Sequence, residues 1–271
     1  MITIYSTLKP HTPIDPWHDR FETIQTNAIN SWKQLKDVEI IIFGNDNQTK
    51  DFCKKHDVTC SGVSTAWKTN APYLNDMFKR VETLSSNNIF LYVSDDIIIF
   101  EDTIKAAENI SNSSLSEFCG CSQRYDAPVH QLLDFNSNWI AECQKDKVLG
   151  HPSAGDYFIY SRGYWRTPSK SILKTIPPLV VGYLYCDDWL RWYASNVKKS
   201  LINMTERVLI IHPEHNHSYI KGDCDRVKEW RENMKNSKYF KNNKKLASRY
   251  ANGINVYNYN YNIVELSNTF S

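Results

Sequence analysis

Two adjacent carboxylates, Asp95 and Asp96, follow a short run of apolar residues from Ile89 to Val93. The run predicts a buried strand, and carboxylates at the end of such a strand are costly to bury unless another group compensates their charge. Ligands of open α/β sheets bind at the carboxyl ends of the strands, and hard oxygen donors suit Mg²⁺ or Mn²⁺ beside a diphosphate. The pair therefore indicates a metal–diphosphate site. The alternative is a strand-end turn with two solvated aspartates.

A second cluster contains three histidines, His212, His215 and His217, directly after the apolar residues Ile210 and Ile211. Neutral imidazole is a common metal ligand, so this segment is a candidate to complete the shell of a metal held by the carboxylates. Two alternatives stay open. One is a polar loop in which at most one histidine matters, and the other is a zinc site formed with a nearby Asp or Cys.

Further carboxylates lie among aromatic and apolar residues: Asp156 in the sequence Gly-Asp-Tyr-Phe, and the pair Asp187 and Asp188. Desolvation at such positions raises a carboxyl pKa or places a base against a sugar. Asp187 or Asp188 is also suited to cap the helix that follows. Arg124, close to Asp126, is either part of a structural ion pair or a clamp for a substrate.

The elements that would position these side chains alternate between strands and helices. Apolar runs predict strands at 2–5, 38–43 and 89–93, and helical spacing predicts helices near 21–32, 49–56, 73–84 and 189–194. This order is typical of an α/β layered sheet with helices on its faces. Residues 1–222 are predicted to form one domain. The Lys-, Asn- and Tyr-rich residues 223–271 are predicted to be a helical or irregular tail packed on it.

Composition excludes several classes of protein. The 271 residues carry 32 Lys and Arg against 30 Asp and Glu, a net charge of +2 that gives no support to nucleic-acid binding. No segment reaches the roughly 20 apolar residues of a membrane helix, and the first residues do not resemble a signal peptide. We expect a cytoplasmic protein whose seven cysteines are free thiols. Dinucleotide, P-loop and nucleophile-elbow motifs do not occur in the sequence.

Several short motifs follow one another in an order that resembles a known family. They are Thr7-Leu-Lys9-Pro10, Gln25-Thr-Asn27-Ala28-Ile-Asn-Ser31-Trp32, Ile42-Phe43-Gly44-Asn-Asp46, Tyr92-Val-Ser94-Asp95-Asp96, Gln123-Arg124-Tyr125-Asp126, Gly155-Asp156-Tyr157-Phe158, Asp187-Asp188-Trp189-Leu190 and the segment His212–Tyr219. Together they are similar to the small GT-A-fold glycosyltransferases, in particular the uncharacterised group related to the glycosyltransferase domains of chlorella viruses. The similarity extends to about Lys221.

The resemblance implies a GT-A (Rossmann-like) sheet that binds a nucleotide sugar, and it implies roles for individual residues. Asp96 would bind the metal, with Asp95 as a second ligand or a contact to the ribose or donor sugar. His212 or His217 would close the metal site, because the segment aligns in two ways. The donor would lie against Thr7, Lys9, Asp46, Ser94, Asp95 and Arg124.

On the acceptor side, the resemblance makes Asp187 the candidate general base of an inverting reaction, and it places Asp156 in the sugar pocket beside Arg124 as a second catalytic candidate. Asp126, Asp188 and Trp189 would also lie on this side. Asp188 stands where Asn is usual in the group, which leaves open which carboxylate is catalytic.

The implied activity is a metal-dependent transfer, with Mn²⁺ or Mg²⁺, of a sugar from a UDP-linked donor to a carbohydrate or other hydroxyl acceptor. A sugar nucleotidyltransferase is one alternative, although it would show a Gly-rich signature near the N-terminus, which Thr7–Pro10 is not. A catalytically silent carbohydrate- or metal-binding protein of the same fold is the other.

Overall fold

A computed structural model describes residues 1–9, 18–66, 69–113, 115, 117–151, 154–166, 176–183, 185–214, 232, 235–250 and 264–265. The strands are β1 (Ile2–Thr7), β2 (Val38–Phe43), β3 (Thr59–Ser61), β4 (Ile89–Val93), β5 (Ile98–Ile99), β6 (Cys119–Cys121), β7 (Tyr125–Ala127), β8 (Val148–Leu149), β9 (Tyr157–Ser161), β10 (Leu201–Asn203), β11 (Ile210–Pro213) and β12 (Val264–Glu265). The helices are α1 (His18–Lys33), α2 (Asn47–His56), α3 (Leu74–Leu84), α4 (Asp102–Ser111), α5 (Trp139–Gln144), α6 (Cys186–Trp192) and α7 (Lys238–Tyr250), and a π-helical turn at Tyr193–Val197 extends α6.

The central sheet has eight strands in the order β12-β10-β6-β9-β4-β1-β2-β3. Seven of them run in the same direction, and β9 is antiparallel to both of its neighbours. Both faces of the sheet are buried, as the continuous apolar runs predict. In β4, Phe90 and Tyr92 join one core cluster, whereas Leu91 and Val93 join a second cluster on the opposite face.

Helices cover both faces. α1 buries Ala28, Ile29 and Trp32 in one of the two clusters, and α3 buries Met77 and Phe78 in the other. Each of these helices therefore contributes its apolar stripe to a core on its own side of the sheet. The predicted fold class, an α/β sheet flanked by helices, is confirmed.

A smaller sheet, in the order β5-β11-β7-β8, has no counterpart in the prediction. Its strands have two to four residues each, too few to produce a recognisable pattern of apolar residues. β5 follows β4 after only four residues, and β7 follows β6 after three. The chain passes from the central sheet to the small one three times, from β4 to β5, from β6 to β7 and from β10 to β11. The residues at the two shortest crossings, 94–97 and 122–124, lie between the sheets.

Part of the C-terminal region packs on the rest of the protein. Asn243 of α7 is buried, and its side chain accepts a hydrogen bond from the amide of Val180 and donates one to the carbonyl of the same residue. β12 extends the central sheet beside β10. The predicted domain boundary near residue 223 lies outside the described residues and stays a prediction. Within the described part of the chain, we find no helix with the length and apolar character needed to cross a membrane.

Candidate functional site at the carboxyl edge of the sheet

The topology brings the predicted site residues to one edge of the central sheet. β1, β2 and β4 are parallel and in register, so Thr7, Asp46 and Ser94 lie at or beyond the carboxyl ends of neighbouring strands. β9 runs the other way, so its first residues come to the same edge. The Ser94 amide donates to the carbonyl oxygen of Asp156, the residue that precedes β9, at 2.9 Å.

Asp95 is held in place by hydrogen bonds to one of its carboxylate oxygens. Its Oδ2 accepts hydrogen bonds from the Lys9 amide and from Nε2 of Gln25, both at 2.6 Å. Burial, and then the negative charge of Asp96, raises the pKa of Asp95 to about 7, although the two hydrogen bonds act in the opposite direction. An ion or a ligand that carries positive charge would therefore stabilise the ionised form of this carboxyl group.

His212 lies between Asp96 and Asp126. Its Nδ1 is 2.9 Å from Asp126 Oδ1, and its Nε2 is 3.5 Å from Asp96 Oδ2. The parallel pairing of β11 with β7 places His212 directly opposite Asp126. The imidazole is only 2% exposed. Burial disfavours its charged form, but hydrogen bonds with Asp126 and then Asp96 outweigh that effect and raise the pKa of His212 to about 9.

Arg124 joins this group to Asp156. Its Nε is 3.1 Å from Asp126 Oδ1, and its Nη1 donates to Asp156 Oδ2 at 2.5 Å. Burial lowers the pKa of the Arg124 guanidinium, but the charges of Asp156 and Asp126 more than offset this and raise it overall. The other oxygen of Asp156 accepts a hydrogen bond from the Ser94 hydroxyl at 3.3 Å. Both oxygens of Asp156 are thus engaged by neighbouring side chains.

A second acidic pair begins α6. Asp187 Oδ2 accepts a hydrogen bond from the Gly155 amide at 3.2 Å and lies 3.3 Å from Nη2 of Arg191, one helical turn later. Asp188 Oδ1 is 3.9 Å from the same guanidinium nitrogen. Burial, followed by the charge of Asp187, raises the pKa of Asp188 to about 7. The pKa of Asp187 is also raised, mainly by burial, while Arg191 opposes the increase.

The residues at this edge fit a divalent cation. Two ligand atoms about 2.1 Å from one ion are roughly 3.0 to 3.5 Å apart, and Asp96 Oδ2 and His212 Nε2 are 3.5 Å apart. Asp126, on the far nitrogen of His212, occupies the position of the carboxylate that commonly orients a metal-binding histidine. No complete cluster of three His, Cys, Asp or Glu ligands occurs among the described residues, so substrate oxygens or waters would supply the remaining ligands.

Some of the predicted site residues make contacts within the protein that leave their side chains unavailable to a ligand. Asp46 caps α2, because its carboxylate accepts hydrogen bonds from the amide and the hydroxyl of Thr49 at 2.8 and 2.9 Å. Trp189 is completely buried and stacks on Tyr193 with ring centroids 5.0 Å apart. Any effect of Trp189 on an acceptor would thus be exerted through the packing of α6. His217 lies outside the described residues.

Sequence reasoning missed two side chains that hold the site together. Gln25 lies on the buried face of α1, next to the apolar Ile24, and Arg191 is buried on α6. A glutamine within an apolar helical stripe was the available signal, because a buried amide needs hydrogen-bond partners. Arg191 follows Asp187 and Asp188 at the four- and three-residue spacings that bring helical side chains together, and this spacing was the signal for the ion pairs.

Comparisons with known proteins give distant structural likenesses only. No family model and no curated protein matches the chain. The chain is similar to residues 1–349 of TarS from S. aureus in complex with UDP-GlcNAc, with 12% sequence identity and a TM-score of 0.48. The alignment covers 93% of this chain and 72% of that one. In a longer TarS structure, the alignment covers 43% of the TarS chain. The mannosyltransferase PcManGT from Pyrobaculum calidifontis, in complex with GDP-Man and Mn²⁺, is 9% identical, with 94% and 75% covered and a TM-score of 0.45. Glucosyl-3-phosphoglycerate synthase from M. tuberculosis is 11% identical, with 80% and 72% covered and a TM-score of 0.43. At these values the likenesses assign no activity to this chain.

Proposed function

We propose that this protein is a glycosyltransferase that transfers a sugar from a UDP-sugar donor to a hydroxyl group of a carbohydrate acceptor. The reaction would require a divalent cation, Mn²⁺ or Mg²⁺. The observation that carries the proposal is the proximity of Asp96 and His212 Nε2 at the carboxyl edge of the sheet. Asp126 contacts the other ring nitrogen of His212 and orients the imidazole. The motif resemblance to GT-A-fold glycosyltransferases agrees with the proposal.

The electrostatics of the edge favour a cation together with a diphosphate. Among the described residues, the carboxylates that converge there outnumber the basic groups beside them. The acids are Asp95, Asp96, Asp126, Asp156, Asp187 and Asp188, and the bases are Lys9, Arg124, Arg191 and His212. The excess of negative charge attracts a divalent ion. When bound, the ion would neutralise the diphosphate and stabilise the charge that develops on the leaving nucleotide.

On the donor side, we assign Asp96 and His212 to the cation, and Asp95 and Ser94 to the nucleotide or its sugar. Asp95 presents Oδ1 to the ligand, because Oδ2 already accepts from Lys9 and Gln25. Thr7 and residues 8–9 lie at the same edge. Asp46, whose two carboxylate oxygens cap α2, is expected to shape the donor side and not to bind the nucleotide directly.

On the acceptor side, we assign Asp187 as the base that accepts the proton of the attacking hydroxyl. Its side chain is 31% exposed, and burial raises its pKa, which makes it a better proton acceptor than a solvated carboxylate. Asp156 is the second candidate. Because its oxygens are held by Arg124 and Ser94, we expect Asp156 to orient the donor sugar.

Calorimetric titration tests the donor half of this proposal. UDP, with GDP as the comparison, is titrated into the wild type and Asp96→Ala, in Mn²⁺ and then in EDTA. Binding of UDP that requires Mn²⁺ and is lost in Asp96→Ala supports the proposal. Failure of the wild type to bind either nucleotide under any condition overturns it.

The acceptor half is tested with Asp187→Asn. We expect this variant to keep the nucleotide affinity of the wild type and to lose turnover of UDP-sugars by about two orders of magnitude or more, since a positioned base contributes 10²–10⁴-fold. A silent binding protein would retain glycan affinity without a donor and would be indifferent to this substitution.

A further inference from the structure

We propose that Gln25 is a positioning residue for the donor: its side-chain amide holds Asp95 and Lys9, just after β1, in the arrangement that receives the nucleotide. This inference rests on the proposed function for its ligand, although the lock that Gln25 forms with Asp95 and Lys9 is a property of the protein alone. Gln25 belongs to α1, far in sequence from the acidic pair, and it is 1% exposed.

One nitrogen atom of Gln25 makes both contacts. Its Nε2 donates to Asp95 Oδ2 at 2.6 Å and to the carbonyl oxygen of Lys9 at 2.9 Å. The Lys9 amide in turn donates to the same Asp95 oxygen at 2.6 Å. Helix α1, the loop after β1 and the turn after β4 therefore meet through a closed set of three hydrogen bonds.

The remainder of the acidic turn is attached to α1 by different side chains. The indole Nε1 of Trp32 donates to the Ile97 carbonyl at 2.9 Å, and the Ile99 amide donates to the Ser31 hydroxyl at 3.2 Å. These bonds hold the small-sheet side of the turn, whereas Gln25 holds the side that carries Asp95. Ser31 thus provides a matched comparison on the same helix, because it fastens the same segment without touching Asp95 or Lys9.

The lock determines which oxygen of Asp95 is presented to the ligand. With Oδ2 occupied by two donors, rotation of the Asp95 carboxylate would break two short, partly buried hydrogen bonds, which is costly. Without the amide, Asp95 would face the charge of Asp96 with one donor fewer. Gln25 consequently acts through Asp95 and Lys9 and does not itself contact the reacting atoms.

The test compares Gln25→Met, which keeps the length of the side chain and removes the donor, with Ser31→Ala. Gln25→Glu, which keeps the shape and places an acceptor against Asp95, is the second variant in case Gln25→Met folds poorly. We expect the Gln25 variants to weaken UDP binding in Mn²⁺ by about tenfold or more, and Ser31→Ala to change it less than about twofold at a similar loss of melting temperature. If the Gln25 variants and Ser31→Ala lost the same amount of UDP affinity, Gln25 would only support the fold, and the proposal would be overturned.

A measurement without ligand separates this inference from the proposed function. Hydrogen exchange of the Lys9 amide, followed by NMR, should accelerate about tenfold in Gln25→Met and stay at the wild-type rate in Ser31→Ala. Faster exchange of the Lys9 amide in Gln25→Met would support the role of Gln25 in holding Asp95 and Lys9, even if the wild type binds no nucleotide. The absence of nucleotide binding would overturn only the proposed function. An unchanged Lys9 exchange rate in Gln25→Met overturns the lock itself.

Discussion

The backbone of Gly155 lies directly against the side chain of Asp187. The Gly155 amide donates to Asp187 Oδ2 at 3.2 Å, and a β-carbon added to Gly155 would be 2.8 Å from the β-carbon of Asp187 and 3.1 Å from Nη2 of Arg191. Glycine is required here because two elements approach closely, with no need for an unusual backbone angle. The contact joins the residues just before β9 to the start of α6.

Gly155→Ala is expected to displace Asp187 and to lower kcat/KM about tenfold or more, because a shift of a catalytic group by a fraction of an ångström to 1 Å has effects of this size. Nucleotide affinity should change little, since Asp96 and His212 lie on other elements. Steady-state kinetics combined with calorimetry measures the two effects.

Gly62→Ala is the matched control. Among the described residues, its added β-carbon would meet Asn45 Oδ1 at 3.2 Å, and a shift of a few tenths of an ångström in this side chain, which is hydrogen-bonded to the backbone of Val63, would relieve the contact. This variant should retain the kinetics of the wild type. If Gly155→Ala were as active as Gly62→Ala, Asp187 would not need its observed position for turnover.

Asp126→Asn is expected to weaken Mn²⁺-dependent UDP binding by about 10- to 100-fold, the range typical of carboxylates that orient a metal-binding histidine. The substitution leaves His212 in place but removes the charge that fixes its Nδ1. Calorimetry in Mn²⁺ measures the change. Asp134→Asn, in an exposed turn where the carboxylate accepts a hydrogen bond from the Asn136 amide, should have no effect. Wild-type affinity in Asp126→Asn would show that His212 needs no such partner.

Asp188 should make stability depend on pH in a defined direction. Its pKa rises from 3.8 to about 7 on folding, so the folded state binds a proton that the unfolded state has lost. Stability from this group is fully present below about pH 4 and is lost as the pH rises through about 7. Asp188→Asn should therefore be more stable than the wild type at pH 8, by up to about 4 kcal/mol, and no more stable at pH 4.

Urea unfolding of Asp188→Asn and wild type at pH 4, 6 and 8 measures this difference. Asp51→Asn, an exposed acid on α2, serves as the control and should show no comparable trend. A gain in stability that is the same at all three pH values would mean that Asp188 is ionised throughout.

Cys121 is expected to resist alkylation in the native protein. Burial raises its pKa to about 11, although the charge of Arg191 partly opposes this, so only about 0.1% is thiolate at pH 8. Labelling with iodoacetamide, followed by peptide mass spectrometry, should be about two orders of magnitude slower than for a free thiol, and fast after unfolding in guanidinium chloride. Rapid labelling of Cys121 in the native protein would contradict this expectation.

The larger elements could be predicted because each has its own pattern. The apolar runs of β2 and β4 and the helical stripe of α1 are long enough to identify from sequence, and the parallel pairing then places Asp95 and Asp96 at the ligand-binding edge. The cysteines were expected to be free thiols, and the six that the structure describes are free.

The remaining features depend on contacts between distant residues. β3 has three residues and β5 has two, so neither has a period that can be recognised. The ion pair of Arg124 with Asp126 was one of two alternatives that the sequence offered, whereas the ion pair of Arg124 with Asp156 follows from the crossing between the two sheets, which no local pattern encodes. Asp46 is ambiguous for a different reason. Its spacing from Thr49 fits a helix cap, and its position after β2 fits a ligand contact, so the sequence alone does not distinguish the two roles.

The antiparallel strand β9 has a consequence for the order of folding. Strands β1 to β4 come from residues 2–93 and pair among themselves, whereas β6 and β10 follow later in the chain, and β9 is the strand that pairs with both groups. Pairing such as Tyr92 with Phe158 closes a long loop, which slows folding. During synthesis, the first group of strands can therefore form early, and only the arrival of 157–161 joins the sheet. A nascent chain that ends before residue 156 would hold Asp95 and Asp96 without Asp156 or His212, and we expect it to be unable to bind the donor.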